Sequence, residues 1–282
     1  MALTEDFTFQ LNGGVILNSS VATTFVDIEK VVGLDNAPFR ETIRDHEGAD
    51  GGFMDAEFEK GREIVLEGVV YGVTETYLDS LKANYAPVAT PVPFNFKASA
   101  EVNERLLYVK PRGCRYDWEL ARRIGKTPIQ FLMYAEDPRI YEAAGIITIV
   151  NYGGDVTNGL AFNAGFNVNF GGGATPGGGS VTNTGNRDTP VTFVVTGPIT
   201  DPVISNTTTG HTLNFSITLG VGQTLTVNTR DRTVYLDGTI NRRNTLTTPD
   251  WFFLIPGVNN IGFGGLTGTG STLSISFRSA WR

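Results

Sequence analysis

Few residues of this 282-residue chain are suited to chemistry: it has one cysteine and two histidines. His46 lies between Asp45 and Glu47, and His211 follows Gly210. Neither histidine falls in H-E-x-x-H spacing, so both read as solvated side chains rather than metal ligands or bases. No G-x-S-x-G elbow is present to carry an acyl-transfer nucleophile. Cys114 is flanked by Arg112, Gly113 and Arg115, whose charges favour a thiolate. It lacks a histidine and an orienting partner in the sequence pattern, and a plain thiol is the preferred reading. The glycine tract 171–179 has no Gly-Lys-Ser/Thr ending and does not form a phosphate-binding loop. Asp45, Glu47, Asp50 and Asp55 miss the register of a calcium loop and read as a solvated acidic face. Carboxylates suited to glycoside hydrolysis are plentiful, but no spacing selects a pair. The expectation is a non-enzyme with no catalytic residues, cofactor or metal.

Composition narrows the class further. A formal charge of −7 disfavours general nucleic-acid binding, which rests on clustered Lys and Arg. No apolar run approaches the roughly 18 residues of a membrane span. The start, Met1 to Asp6, lacks the cationic and apolar regions of a secretory signal, so the sequons at Asn206 and Asn214 carry no weight. One cysteine excludes an internal disulfide framework. The expected protein is soluble and made in a reducing compartment.

The charges divide the chain. Up to Gly145 there are 23 acidic and 15 basic residues, net −8. From Ile146 onward there are six Asp and seven Arg, net +1, with no Glu or Lys. This second part also holds 22 of the 34 glycines and is rich in Thr and Asn. Thr tolerates strands while Asn and Gly make turns, so the second part should be all-β. The expected domains are 1–142 and 143–282.

A mainly β fold is therefore predicted: an α+β N-terminal domain, with an antiparallel barrel or sandwich and one helix, and an all-β C-terminal domain. In the first domain, Phe7 to Leu11, Val15 to Leu17, a segment within Val21–Val32, Gly61 to Gly72, Val92 to Phe96, Arg105 to Val109 and Thr127 to Tyr134 read as strands. Thr74 is placed as an N-cap, and Tyr77, Leu78, Leu81 and Tyr85 form a helical stripe that stops before Pro87. In the second, strands recur at short spacing from Val191 to Arg278, with Asp237-Gly238 as a hairpin turn. The glycine-rich segment of about 160–182 reads as a flexible loop.

The stretch Gly33 to Lys60 is acidic and glycine-rich, with isolated Phe39, Phe53, Met54 and Phe58. It cannot bury much of itself. It reads either as a surface excursion or as an arm whose aromatics find pockets on another subunit. In the second domain Phe166, Phe170, Tyr235 and Trp251 could stack on sugars, although Trp251 with Phe252 and Phe253 is favoured as core.

Several motifs then fall in one order. Gly33-Leu34-Asp35, Pro38-Phe39-Arg40, Asp50-Gly51-Gly52, Lys60-Gly61-Arg62-Glu63 and Ala135-Glu136-Asp137-Pro138-Arg139-Ile140-Tyr141 occupy the first domain. Asn183-Thr184-Gly185-Asn186, Thr196-Gly197-Pro198, Asp201-Pro202, Val221-Gly222-Gln223-Thr224-Leu225, Pro256-Gly257-Val258-Asn259 and Ala280-Trp281 occupy the second. The series resembles the distal tail proteins of long-tailed, non-contractile bacteriophages. The resemblance implies a structural virion protein of the tail tip, made in the host cytoplasm. It implies a homohexameric ring that adapts the tail tube protein to the tail-tip hub protein and lets DNA pass. It further implies an inter-subunit belt at 33–60 bearing Phe39, Phe53, Met54 and Phe58, and a galectin-like C-terminal sandwich. That sandwich would meet a receptor-binding protein or a host glycan; the sugar-stacking aromatics read from the residues themselves, Phe166, Phe170 and Tyr235, are the candidates for the latter contact. The net −8 of the first domain, repeated around a ring, would keep the lumen from holding DNA. Neither sequence-specific nucleic-acid binding nor membrane insertion is expected.

Overall fold

The computed structural model describes residues 3–19, 24–35, 37–40, 43–45, 48, 50, 52–54, 58–99, 103–151, 177–266 and 270–282. The chain divides into two compact units, residues 1–143 with Arg282, and residues 144–281.

The first unit contains β1 (Thr8–Leu11), β2 (Ile16–Leu17), β3 (Phe25–Val32), β4 (Phe39–Arg40), β5 (Ile43–Asp45), β6 (Gly52–Met54), β7 (Phe58–Glu59), β8 (Arg62–Tyr71), α1 (Glu75–Asn84), β9 (Val92–Lys97), β10 (Arg105–Tyr116), α2 (Trp118–Ile124), β11 (Lys126–Ala135) and β12 (Ile140–Glu142). The main sheet runs β2-β1-β9-β10-β11-β8-β3, with β12 on β10. Strand β10 joins two parts of the sheet. Arg105–Val109 pairs with β9, and from Lys110 to Tyr116 the strand runs along β11, with a bulge between Pro111 and Gly113. A bulge of this kind bends a strand and increases its twist, which lets one strand turn the corner of a curved sheet. The alternating strand β8 buries Arg62, Ile64, Leu66, Gly68 and Val70 on one side, as a period of two requires. Thr74 Oγ1 accepts from Tyr77 N at 3.3 Å and caps α1. The helix buries Leu78 and Leu81, and the Tyr85 ring that ends it lies 4.3 Å from that of Phe131.

A second helix, α2, was not expected from the sequence. Seven residues are too few to show a 3.6 period, and its signals are the caps: Asp117 Oδ1 accepts from Leu120 N at 3.0 Å, and Gly125 closes it at φ +67°.

The second unit contains β13 (Ile146–Asn151), β14 (Gly177–Asn183), β15 (Val191–Thr196), β16 (Ile199–Thr200), β17 (Val203–Asn206), β18 (His211–Phe215), β19 (Thr218–Leu219), β20 (Thr224–Asn228), β21 (Thr233–Leu236), β22 (Ile240–Asn241), β23 (Leu246–Pro249), β24 (Gly257–Gly264) and β25 (Thr272–Phe277). Two antiparallel sheets, β13-β25-β15-β20-β21-β22 and β14-β24-β17-β18-β23, face each other. Phe193, Val195, Val227 and Ile275 of one pack with Ile204, Phe215 and Phe263 of the other in a single apolar cluster. The turn residues Asp237 and Gly238 sit at φ +49° and +72° between β21 and β22, the double left-handed geometry that Asp-Gly favours.

Two features differ from expectation. Residues 177–183, read as part of a loop, form edge strand β14 on β24. The partner strand supplies the hydrogen bonds that composition cannot reveal, and glycine is needed for packing. A Cβ on Gly179 would come within 2.6 Å of Val150 Cγ2. The second feature is a set of buried asparagines in a unit without Glu or Lys. Asn183 Nδ2 donates to the carbonyls of Arg187 (2.7 Å) and Leu254 (3.2 Å), while its Oδ1 accepts from Gly185 N and Ala280 N. Asn259 Nδ2 donates to Ile255 O (2.8 Å) and Gly257 O (3.1 Å), and its Oδ1 accepts from Ile255 N and Asn206 Nδ2. A buried amide is tolerated only when its donors and acceptor are matched, and these two are. The Asn-Thr-Gly and Pro-Gly-Val-Asn motifs are thus folding determinants. Asn206, inside a sequon, is fully buried.

Replacing Phe131, fully buried beside Tyr85, by Ala should cost about 3–5 kcal/mol. Urea titration of the full chain would detect it as a lower midpoint for the first unit.

Candidate functional site

The residues that could act do so by positioning the arm. Its two ends leave and rejoin the main sheet at points where backbone passes close to backbone. Gly33 adopts φ +90°, and a Cβ there would stand 2.0 Å from Glu63 O. A Cβ on Gly61 would meet Tyr134 Oη at 2.3 Å and Ala135 O at 2.7 Å. Only glycine fits either crossing. Between them, the described residues of the arm form a narrow antiparallel ribbon. Phe39 is opposite Glu59 and Arg40 opposite Phe58, and further out Ile43, Arg44 and Asp45 pair with Met54, Phe53 and Gly52.

Arg62, fully buried at the start of β8, holds the root of this ribbon. Its Nε donates to Pro138 O at 2.6 Å, and its Nη1 donates to Leu34 O at 3.4 Å and to Asp35 O. Burial pulls the guanidinium pKa down, and the carboxylates of Glu59, Asp35 and Asp137 push it back up. The planar fork therefore ties the outgoing chain at 34–35 to the 135–141 segment while β8 carries the returning chain. Asp137 organises that segment. Its carboxylate accepts from Arg139 N and Nη1, both at 3.1 Å, and from the Tyr141 hydroxyl at 2.7 Å. The motifs Gly33-Leu34-Asp35, Lys60-Gly61-Arg62 and Ala135 to Tyr141, far apart in sequence, are one physical object.

Of the belt candidates, Phe39 is half-buried and Phe58 is 63% exposed. Phe53 and Met54 lie in β6. Of the sugar-contact candidates, Tyr235 is half-buried in β21 of the six-stranded sheet, whereas Phe166 and Phe170 fall outside the described residues. His46 also falls outside them. Trp251 packs against the apolar cluster and Phe252 is buried in it. A feature that sequence spacing did not reveal is a groove of about 430 Å³ on the outer face of the five-stranded sheet, lined by Gly178, Ser180, Ser205, Thr207, Asn260 and Gly262. It is floored by two glycines that pair across β14 and β24.

The remaining chemistry is modest. Burial raises the Cys114 thiol pKa, outweighing the lowering effect of Lys82. That reverses the activation its arginine neighbours suggest. His211 Nδ1 lies 2.9 Å from both carboxylate oxygens of Asp250, a pair well exposed to solvent. The hydrogen bond from His211 lowers the Asp250 pKa. Among the described residues, no group of three His, Cys, Asp or Glu side chains could hold a metal ion. No described helix is long and apolar enough to cross a membrane.

Residues 184–281 match the family of the siphovirus-type tail component, C-terminal domain. The match lies within the second unit and agrees with the resemblance carried by the motifs between Thr184 and Trp281. The chain as a whole takes the fold of a distal tail protein. It is similar to the crystal structure of SPP1 Dit, described as a paradigm of hub adsorption apparatus in Gram-positive infecting phages, with a TM-score of 0.68 and 18% identity over 99% of this chain and 100% of that one. It is also similar to a chain of the phage P2 baseplate in its activated conformation with Ca, with a TM-score of 0.51 and 8% identity over 95% and 97% of the two chains. No curated protein sequence matches it.

Replacing Arg62 by Met should leave the carbonyls of Leu34, Asp35 and Pro138 without their guanidinium donor, at a cost of about 2–4 kcal/mol. Limited proteolysis should then cut within 33–60 faster than in the parent protein, and Arg62→Lys, lacking the fork, should restore little of the resistance.

Proposed function

We propose that the protein is a structural component of the phage tail tip: a ring-forming adapter at the distal end of the tail tube that joins the tube to the tip hub and leaves a passage for DNA. The observation that carries this reading is the tail-component match of the second unit within a chain that has a distal-tail fold along 99% of its length. The arm supports it physically. A ribbon rooted by a buried arginine, with Phe58 left exposed, is built to be covered by something outside its own unit. The expected assembly is a homohexamer in which residues 33–60 act as the belt and Phe39, Phe53, Met54 and Phe58 meet the neighbour. The first unit builds the wall, and its net −8 gives the lumen a charge that DNA does not adhere to. The second unit, a galectin-like sandwich, faces outward toward receptor-binding components. The protein acts without catalysis.

The test is assembly. Light scattering across a concentration range, alone and with the tube protein, should give a closed oligomer of six copies. Electron microscopy of tails should place it at the tube end. A protein that stays monomeric under all these conditions and is missing from purified tails would sink the proposal.

A second reading, host-glycan binding by the sandwich, draws on the uncharged groove on β14, β24 and β17. Among the described residues, the side chains of Ser180, Ser205 and Asn260 have no internal hydrogen-bond partner. Hydroxyls and an amide over a glycine floor suit a neutral saccharide. Ser180→Ala with Asn260→Ala should abolish retention on host wall polysaccharide without lowering the melting temperature. If the parent protein shows no retention, this reading is wrong.

A further inference from the structure

The arm leaves the first unit as a ribbon of two strands, with Phe39 opposite Glu59 and Arg40 opposite Phe58 at its base and three further pairs beyond. Two strands without a third are marginal in water, so the ladder alone does not fix the direction of such a ribbon. Direction must come from the base. Arg62 contributes to it through the carbonyls of Leu34, Asp35 and Pro138. Lys60 N also donates to Pro38 O at 2.7 Å, one step inside the pair of Phe39 and Glu59.

A second arginine reaches the same base from the far end of the sequence. Arg282 is counted with the first unit, although the chain up to Trp281 belongs to the second. Its Nε donates to Glu59 Oε1 at 2.6 Å, and its guanidinium carbon lies 4.8 Å from the centroid of the Phe39 ring. One planar group thus holds both strands at a single rung, by a carboxylate on the returning strand β7 and an aromatic face on the outgoing strand β4. A guanidinium suits both contacts at once, since it donates in its plane and stacks through its face. The Glu59 side chain is only 3% exposed, and a carboxylate so far from water requires charge-assisted partners. Burial lowers the Arg62 pKa, and Glu59 is the strongest of the carboxylates that oppose it. Glu59 therefore serves two arginines, one fully buried and one, Arg282, about half open to solvent.

We propose that Arg282 is the positioning residue of the arm, a latch that grips Phe39 and Glu59 at the ribbon's base and fixes the direction in which the arm leaves the unit. With the latch closed, the base rung is held on both strands. With Arg282 withdrawn into solvent, the Arg62 joint stays in place and the ribbon pivots about it without unfolding of the unit. The latch belongs to one chain and does not depend on the ring reading above.

Hydrogen exchange of the full chain tests it, at a concentration where sedimentation velocity shows parent and variants as the same species. Exchange is read by mass spectrometry over residues 58–61, which include the Lys60 amide. Arg282→Ala should speed exchange there about tenfold, as expected for loss of one charge-assisted hydrogen bond. The melting temperature and the exchange of β8 and β11 should stay at parental values, because only the arm is released. Arg282→Lys, which keeps the charge without the stacking plane, should fall between parent and Arg282→Ala. In a Glu59→Gln background, adding Arg282→Ala should change exchange by less than about threefold, because the charged partner is already gone. Parental exchange in Arg282→Ala would overturn the latch, and so would an undiminished effect in the Glu59→Gln background. Acceleration that extends to β8 and β11 with a lowered melting temperature would make Arg282 a stabiliser of the whole unit and overturn its positioning role.

Discussion

The structure of the first unit depends on a buried cation whose hydrogen bonds go to backbone carbonyls. Arg62 has no solvent exposure, and its fork reaches carbonyls from two distant parts of the chain, 34–35 and 138. A guanidinium in that position cannot be exchanged for a compact ammonium, because one point charge cannot span donors in two directions. The cation also makes the neighbouring motifs necessary. Gly33 and Gly61 let the two arms of the ribbon pass against β8 and β11 without a Cβ in the way. Asp137 shapes the turn whose next carbonyl, that of Pro138, Arg62 binds. Removing one member leaves the others buried and unmatched, which is why such a cluster behaves as a unit.

The two units solve the problem of buried polarity with different residues. The first uses charge: Arg62 beneath the arm and Asp137 with Arg139 and Tyr141. The second uses neutral amides and hydroxyls. Asn183 and Asn259 lock turns to strands, and Thr189 Oγ1 donates to Arg278 O at 2.6 Å while Thr229 Oγ1 donates to Val191 O at 3.0 Å. This accounts for a sandwich that manages without Glu or Lys. Its polar interior is built from short side chains whose donors and acceptors are matched locally, leaving both faces nearly neutral. A charged, armed unit and a neutral sandwich suit different neighbours.

Much of the fold was legible because period and turn chemistry are local. Thr74 capped its helix, Asp237-Gly238 made its hairpin, and Ile64 and Leu66 marked the buried side of a strand. What escaped was short or borrowed. Helix α2 has too few residues to show a period. Strand β14 has a composition that predicts a loop and takes its hydrogen bonds from β24. The arm residues were visible as an anomaly, but the arginine that roots them was not, since a lone Arg in a strand pattern reads as a solvent-facing residue. At Cys114 the arginine neighbours favour a thiolate, and burial shifts the pKa the other way.

The sequence by itself determined the mainly β class, the change of chemistry near residue 145, the absence of any recognisable catalytic constellation and the ordered motifs that resemble a distal tail protein. These are properties of residue type and short spacing, which the chain carries whether folded or not. Only the tertiary structure decided that Leu34, Arg62 and Pro138 form one joint, and that Asn206 and Asn259 are partners rather than surface amides. It also decided that Trp118 and Ile124 stand exposed on α2. Each of these rests on contacts between residues distant along the chain, and the free energy of matching a buried polar group, or of leaving an apolar one uncovered, exists only once those distant segments are brought together.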